Sequence, residues 1–342
     1  MFMIVLYHLI LHGVNGAVVQ FFSWQPLAVP IPESFLLVIC SVAVDCYVII
    51  SGYYGIHIYE NNRIKADHIL KIWIPMFIYS MLFATIAFAR GKIGITEYLT
   101  NLFPVIKSNW WFATCYFILL FISPILNKIA ENFYNSKYFV AIVGITILVT
   151  FIFEGNKFEN LIGLGSNSFS NICILYIVGR MLRLNEDSKV LPFAKNNILL
   201  VILILVLYLA LFLLILIGLH LIHRNIYFRI SRYSCPVIIL ISISIFLLFR
   251  NAKVKHNKII NMFGSASFDV YLIHENLYVR KPLYEIVNSP LSLSVGGKCI
   301  AKLIPYLILA SICIFLVCEM IGISRVKLVD LLRRKKIIQK NV

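Results

Sequence analysis

The chain is 342 residues long, 61% hydrophobic and only 13% charged, with a mean hydropathy of +0.89 and a formal net charge of +16 from 31 Lys and Arg against 15 Asp and Glu. A soluble domain carries about 25% charged residues, so this chain has too little polar surface to dissolve as a globule, and its composition assigns it to the membrane class. Its basic residues fall between apolar runs and not along one stripe, which argues against a nucleic-acid partner and for the loops of a protein whose partner is the lipid bilayer.

A spanning helix needs about 20 mostly apolar residues. Candidate spans follow in order near 1–20, 34–54, 69–89, 110–127, 138–154, 170–182, 197–220, 235–250, 266–282 and 302–323, the sixth and ninth being short and interrupted by polar residues. Phe2–Leu11 has no basic segment ahead of it and no small-residue cleavage site close behind, so it reads as part of a retained first span. The expected fold is all-α, a polytopic transmembrane helix bundle of about ten spans. With a cytoplasmic N-terminus and alternating spans, the inner segments receive Arg63, Lys65 and Lys71, then Lys128 and Lys137, then Arg180, Arg183, Lys189 and Lys195, then Arg250, Lys253, Lys255 and Lys258. The basic tail falls on the same side. The outer loop bearing Arg224, Arg229 and Arg232 runs against this bias, but the larger share of basic residues lies inside. Both termini are therefore expected in the cytoplasm, with the protein multi-pass in the cell membrane. Residues 1–324 form one membrane-embedded domain, and 325–342 form a basic cytoplasmic tail containing Arg333-Arg334-Lys335-Lys336. That tail is either a solvated topology anchor or a segment lying on anionic headgroups. The cysteines (Cys40, Cys46, Cys115, Cys173, Cys235, Cys299, Cys313 and Cys318) lie mostly in apolar runs without a CxxC pair, so no disulfide framework and no metal site are indicated.

Ionisable groups inside a span cost about 2.5–3.5 kcal/mol each at its centre, so they must face protein or a wet cavity. In the first span, His8 and His12 share a helical face. The pair is a helix-packing contact or, because imidazole titrates near working pH, a general base, and no glutamate follows His8 as a zinc HExxH motif requires. In the second, Asp45 needs a donor or cationic partner, for which His8 or His12 is the natural candidate, and Ser51-Gly52 allows a close helix approach. Asn109-Trp110-Trp111-Phe112 opens the fourth span, as interfacial anchors or as the floor of a sugar site, and a proline break explains Ser123-Pro124 and Asn127 at its end. In the ninth, Asp269, His274 and Glu275 lie within seven residues and suggest a wet cavity. Glu319, deep in the tenth, is expected to pair with a basic group.

Taken in order, these segments resemble acyltransferase family 3 of integral-membrane enzymes. Ile4-Val5-Leu6-Tyr7-His8-Leu9 is similar to its hydrophobic-Tyr-His element, and Asp45-Cys46-Tyr47 with Ser51-Gly52-Tyr53 to its Asp-aromatic and Ser-Gly-aromatic signature. Trp110-Trp111-Phe112 with Ser123-Pro124-Ile125-Leu126-Asn127 resembles its Trp-aromatic and Pro-x-x-Asn span, and Tyr271-Leu272-Ile273-His274 its late Tyr-Leu-x-His motif. The family also places an arginine earlier in the first span, at a position ahead of Met1.

The resemblance implies transfer of an acyl group, usually acetyl, from acetyl-CoA or another acyl-CoA to a hydroxyl of a cell-surface or exported glycan, without a metal. It makes His8 the essential histidine; the chemistry of the residues reads it as a general base or covalent carrier, with Asp45 orienting it as in other acid–histidine pairs and His274 stabilising the oxyanion or lining the acceptor path. Arg63, Lys65 and Lys71 would attract the donor's phosphates, and Ser51, Trp110, Trp111 and Glu275 join them as substrate-binding candidates. Two other readings compete. The buried His and Asp residues could relay protons in a transporter or flippase of glycan precursors, although the chain has no internal repeat. The chain could also be a non-catalytic membrane partner in glycan assembly.

Overall fold

The computed structural model describes residues 1–14, 30–56, 59–60, 63–64, 66–153, 168–186, 198–221, 232–252, 255–292 and 300–340. Helix α1, Phe2–His8, runs on into a π-helical turn, Leu9–Val14, and α2 is Pro30–Tyr54. A two-residue antiparallel pairing follows, β1 Tyr59–Glu60 against β2 Arg63–Ile64. The remaining helices are α3 Ala66–Ala89, α4 Ile95–Thr100, α5 Trp111–Phe133, α6 Lys137–Phe153, α7 Phe169–Leu184, α8 Ile198–Leu221, α9 Pro236–Asn251, α10 Lys258–His274, α11 Leu277–Ser292 and α12 Ile300–Lys340.

Among the described residues, three stretches are helical, long and apolar enough to cross a membrane: Ala66–Ala89, Trp111–Phe133 and Ile304–Leu331. Shorter apolar helices cover Phe2–His12, Ile39–Tyr54, Lys137–Ile152, Leu205–Ile215 and Pro236–Asn251. This is an all-α membrane protein. One expected element differs. The run 266–282 is not a single helix but the end of α10 and the start of α11, because the Asn276 side-chain oxygen accepts the Tyr278 N–H at 3.0 Å and caps a new helix. Lys65, Lys189, Lys195, Arg224, Arg229 and Lys253 lie outside the described residues.

The chain divides into two compact units, Met1–Ser23 with Ile74–Trp110 and Val254–Val342, and Trp24–Trp73 with Trp111–Lys253. In the second unit, α2 and α7 meet backbone to backbone. A Cβ added to Gly52 would lie 2.0 Å from the Tyr176 carbonyl oxygen, and one added to Gly179 would lie 2.2 Å from that of Ile49. Small residues at a crossing let membrane helices approach this closely, since lipid offers no hydrophobic drive for their association. Just beyond the crossing, α2 ends on Gly55 at φ 72°, a conformation that favours glycine, and the Gly55 N–H reaches the Ser51 carbonyl at 3.0 Å.

The next residue, Ile56, is held by three side chains. Its N–H donates to the Tyr176 hydroxyl at 2.9 Å, and its carbonyl accepts from Ser123 Oγ at 3.2 Å and Asn127 Nδ2 at 3.3 Å. Tyr176 in turn donates to Asn127 Oδ1 at 2.8 Å. Pro124 deprives the Leu120 carbonyl of its helical partner, and Ser123 Oγ also bonds that carbonyl, at 2.9 Å. The Ser-Pro and Asn of α5 therefore fix the chain where it leaves α2, which is more than a helix break.

In the first unit, α10 and α12 pack through Gly322, whose added Cβ would meet Asp269 Cβ at 2.8 Å and Ala266 Cβ at 3.0 Å. Arg325 of α12 clasps the buried Asp269 carboxylate through both Nε and Nη2, the latter at 2.8 Å from Oδ2. Phe315 of α12 meets Phe2 of α1 edge-on at 6.4 Å and stacks with Phe263 of α10 at 6.2 Å.

The glycine crossing makes a direct prediction. Gly52→Ala or Gly179→Ala should each destabilise the detergent-solubilised protein by more than the about 1–3 kcal/mol typical of overpacking, because backbone and not a side-chain tip must move. Gly144→Ala, mid-helix in α6 and meeting nothing within 4 Å, should not lower the melting temperature and should raise it slightly.

Candidate functional site

His8 closes α1 at the point where the helix widens into the π-helical turn, a distortion that often marks functional positions. His274 closes α10, and Glu275 and Asn276 lie between α10 and α11. Residues 8, 274 and 275 belong to the first unit and are all buried. His8 Nδ1 is 3.0 Å from His274 Nε2, and His274 Nδ1 is 2.5 Å from the Val270 carbonyl oxygen.

These two contacts assign the protons. A carbonyl oxygen only accepts, so His274 carries its hydrogen on Nδ1. In the neutral ring its Nε2 is then the acceptor, so His8 must donate from Nδ1. The lone pair of His8 is left on Nε2.

Glu275 completes the group. Its Oε1 is 3.6 Å from His8 Nδ1, too long for a hydrogen bond but close enough to stabilise a positive ring. The carboxylate is held by Tyr284, which donates to Oε1 at 2.5 Å, and by Arg280 Nη1, 3.4 Å from Oε2. Burial, and then the neighbouring Glu275 charge, raise the Tyr284 phenol above its ordinary range, so it stays a donor. His12 stacks on His8 at 5.8 Å and on Tyr284 at 5.7 Å, and is itself exposed. His8, His274 and Glu275 also offer ligand atoms within 4.8 Å of one another, a spread that a divalent cation could gather.

The other expected site residues fall as follows. Asp45 is fully buried in the second unit, where Oδ2 lies 3.4 Å from Ser242 Oγ of α9, whose hydroxyl hydrogen is shared with the Ile238 carbonyl at 2.8 Å, and Oδ1 has no hydrogen-bond partner among the described residues. The sequence expected a histidine partner for Asp45; its described hydrogen bond is to Ser242, and that of His8 is to His274. Ser51 Oγ bonds the Tyr47 carbonyl at 2.8 Å and the Tyr116 hydroxyl at 2.9 Å, tying α2 to α5. Trp110 is buried, 2% exposed, which does not suit a headgroup anchor, whereas Trp111 is half-buried and stacks on Tyr233 at 6.0 Å. Lys71 is exposed near the start of α3, and Arg63 is described by its backbone in β2. Glu319 corrects an expectation: it is buried and, among the described residues, neither carboxylate oxygen has a hydrogen-bond partner, while Arg325 pairs with Asp269 instead.

Tyr284 and Arg280, which hold Glu275, were not singled out from the sequence. The available signal was the polar run Asn276 to Tyr284 directly behind the His274 motif, which is too hydrophilic to continue a span. The tautomer assignment can be read directly. Nitrogen-15 NMR of histidine-labelled protein should find both His8 and His274 protonated at Nδ1, and an Nε2–H resonance for His8 would overturn the arrangement.

In comparison with known proteins, residues 1–323 match the model of acyltransferase family 3, described as an acyltransferase domain. No curated protein and no solved structure matches the chain.

Proposed function

Since the chain belongs to acyltransferase family 3, and is in general terms a membrane acyltransferase, we propose that it moves an acetyl or other acyl group from acyl-CoA to a hydroxyl of an exported or cell-surface glycan, with His8 as general base. The observation that carries this reading is the His8–His274 contact, which places the His8 lone pair on Nε2. As His8 Nε2 takes the proton of the acceptor hydroxyl, the oxygen attacks the thioester carbonyl. The tetrahedral adduct then expels the thiolate, which recovers the proton from His8, and the ring ends neutral.

The other two residues serve that cycle. His274 has both nitrogens engaged and no N–H left for an oxyanion, so its role here is to fix the His8 tautomer, as the acid does in other triads. Glu275 offsets the charge that His8 acquires. The resemblance of the motifs supports the CoA donor and the glycan acceptor. The charge distribution along the chain supports a multi-pass cell-membrane protein of about ten spans with both termini cytoplasmic.

The test is acyl transfer measured on matched amounts of protein. His8→Ala should lower the rate by about 100- to 10,000-fold, the range of a general base. Glu275→Gln, which keeps shape but not charge, should lower it by about tenfold, the equivalent of about 1.4 kcal/mol of lost charge stabilisation. Treatment with a chelator should change nothing, since the base needs no metal. Undiminished transfer by His8→Ala would sink the mechanism, and a chelator-sensitive rate would move the reading of His8, His274 and Glu275 to a metal centre.

A further inference from the structure

In the second unit, α2, α5, α7 and α9 bring their C-terminal ends to one place. Tyr53 stands one residue before the end of α2, Arg183 in the last turn of α7 and Arg250 in that of α9. The Tyr53 hydroxyl accepts from Arg250 Nε at 2.9 Å and Arg183 Nη1 at 3.4 Å, and the two guanidiniums lie over its ring at 5.9 and 5.4 Å. Arg180 stands beside the glycine crossing and bonds Glu131 of α5 at 2.5 Å.

Helix C-termini attract cations, which accounts for basic residues at this end. It does not account for two guanidiniums sharing one phenol, since like charges brought together need an anion between them. Glu186 fills that place. Its Oε2 meets Arg183 and its Oε1 meets Arg250, so one carboxylate bridges the pair. Glu186 follows the end of α7 by two residues and is not anchored within a helix. Among the described residues the balance is still positive, three guanidiniums against the two carboxylates Glu131 and Glu186. Arg180 also keeps a buried Nε with no hydrogen-bond partner among the described residues. The Arg183 side chain is 50% exposed and within reach of a solute.

The geometry points to a phosphate-binding site at Arg183 and Arg250 over Tyr53, with Arg180 beside them, which takes the phosphate groups of the acyl donor when they displace Glu186. One carboxylate serves both guanidiniums. Two oxygens of one anionic group reach both forks, and a phosphate offers the same oxygens with more charge. None of these residues is among those the sequence assigned to the donor. The inference rests on the proposed acyl-CoA donor, and it deepens that reading by naming where the donor's charged end is held.

The experiment is titration of coenzyme A into the full chain in phosphatidylcholine nanodiscs, with acetyl-pantetheine, which lacks the phosphates, as the second probe. Arg183→Gln and Arg250→Gln should each weaken coenzyme A by about tenfold or more, the loss of one charge-assisted contact, and leave acetyl-pantetheine unchanged. Glu186→Gln should bind coenzyme A more tightly than the unaltered protein; a purely structural ion-pair cluster would instead lose stability with no gain in affinity. This variant keeps the test decisive if an arginine variant fails to fold. Equal affinity of coenzyme A for the unaltered protein and both arginine variants, or no tightening by Glu186→Gln, overturns the site. Arginine-dependent binding of inorganic pyrophosphate or phosphatidylglycerol nanodiscs, without binding of coenzyme A, keeps the phosphate site and overturns the donor reading.

Discussion

A polar side chain on a helix surrounded by lipid has no water to turn to, so it must find its partner on another helix or at a helix end. Much of this structure follows from that constraint. Asp269 is answered by Arg325, Tyr53 by Arg183 and Arg250, Tyr176 by Asn127, and His8 by His274. Several of these contacts occur where a helix stops. His8 and His274 both stand at helix ends, and Arg183 and Arg250 sit in last turns, where peptide carbonyls favour positive charge.

The constraint also separates scaffold from chemistry. Asp269 and Arg325 saturate one another, as do Tyr176, Asn127 and the backbone of Ile56. Such pairs specify packing. His8 differs because its Nδ1 is engaged while Nε2 has no hydrogen-bond partner among the described residues, and the engaged side determines the character of the other. A chain of two imidazoles ending on a carbonyl sets a direction for the proton without any charged residue in the chain itself. Glu275, held by Tyr284 and Arg280, stands close enough to matter once His8 is charged.

The membrane class and the helical architecture were legible from composition and run length alone. His8 and His274 were each legible as polar interruptions, and the order of the motifs suggested which mattered. Their pairing was not, because they are 266 positions apart and nothing in either run indicates which nitrogen faces which neighbour. The helix break at Glu275-Asn276 was not legible, because apolar content carries no sign that Asn276 caps a new helix. Gly52 was correctly suspected of close packing, but its partner Gly179 was invisible, since one glycine in a run of mixed polarity carries no mark of what it touches. The Arg183–Arg250 locus was likewise seen only as two separate inner-loop charges. It exists because that crossing and its neighbouring helices end together.

Helix α12 carries a mechanical consequence. At about 1.5 Å per residue its 41 residues reach roughly 60 Å, twice the about 30 Å of a bilayer's hydrocarbon. The surplus, with Arg333 to Lys336 within it, is a rigid mast on the spanning part of the same helix. A stiff rod magnifies rotation at its base into displacement at its tip. A few degrees of tilt in the segment that packs against α1 and α10 would sweep Lys340 through several ångströms, so a spectroscopic label there would act as a pointer for motions next to His8 that are too small to see directly.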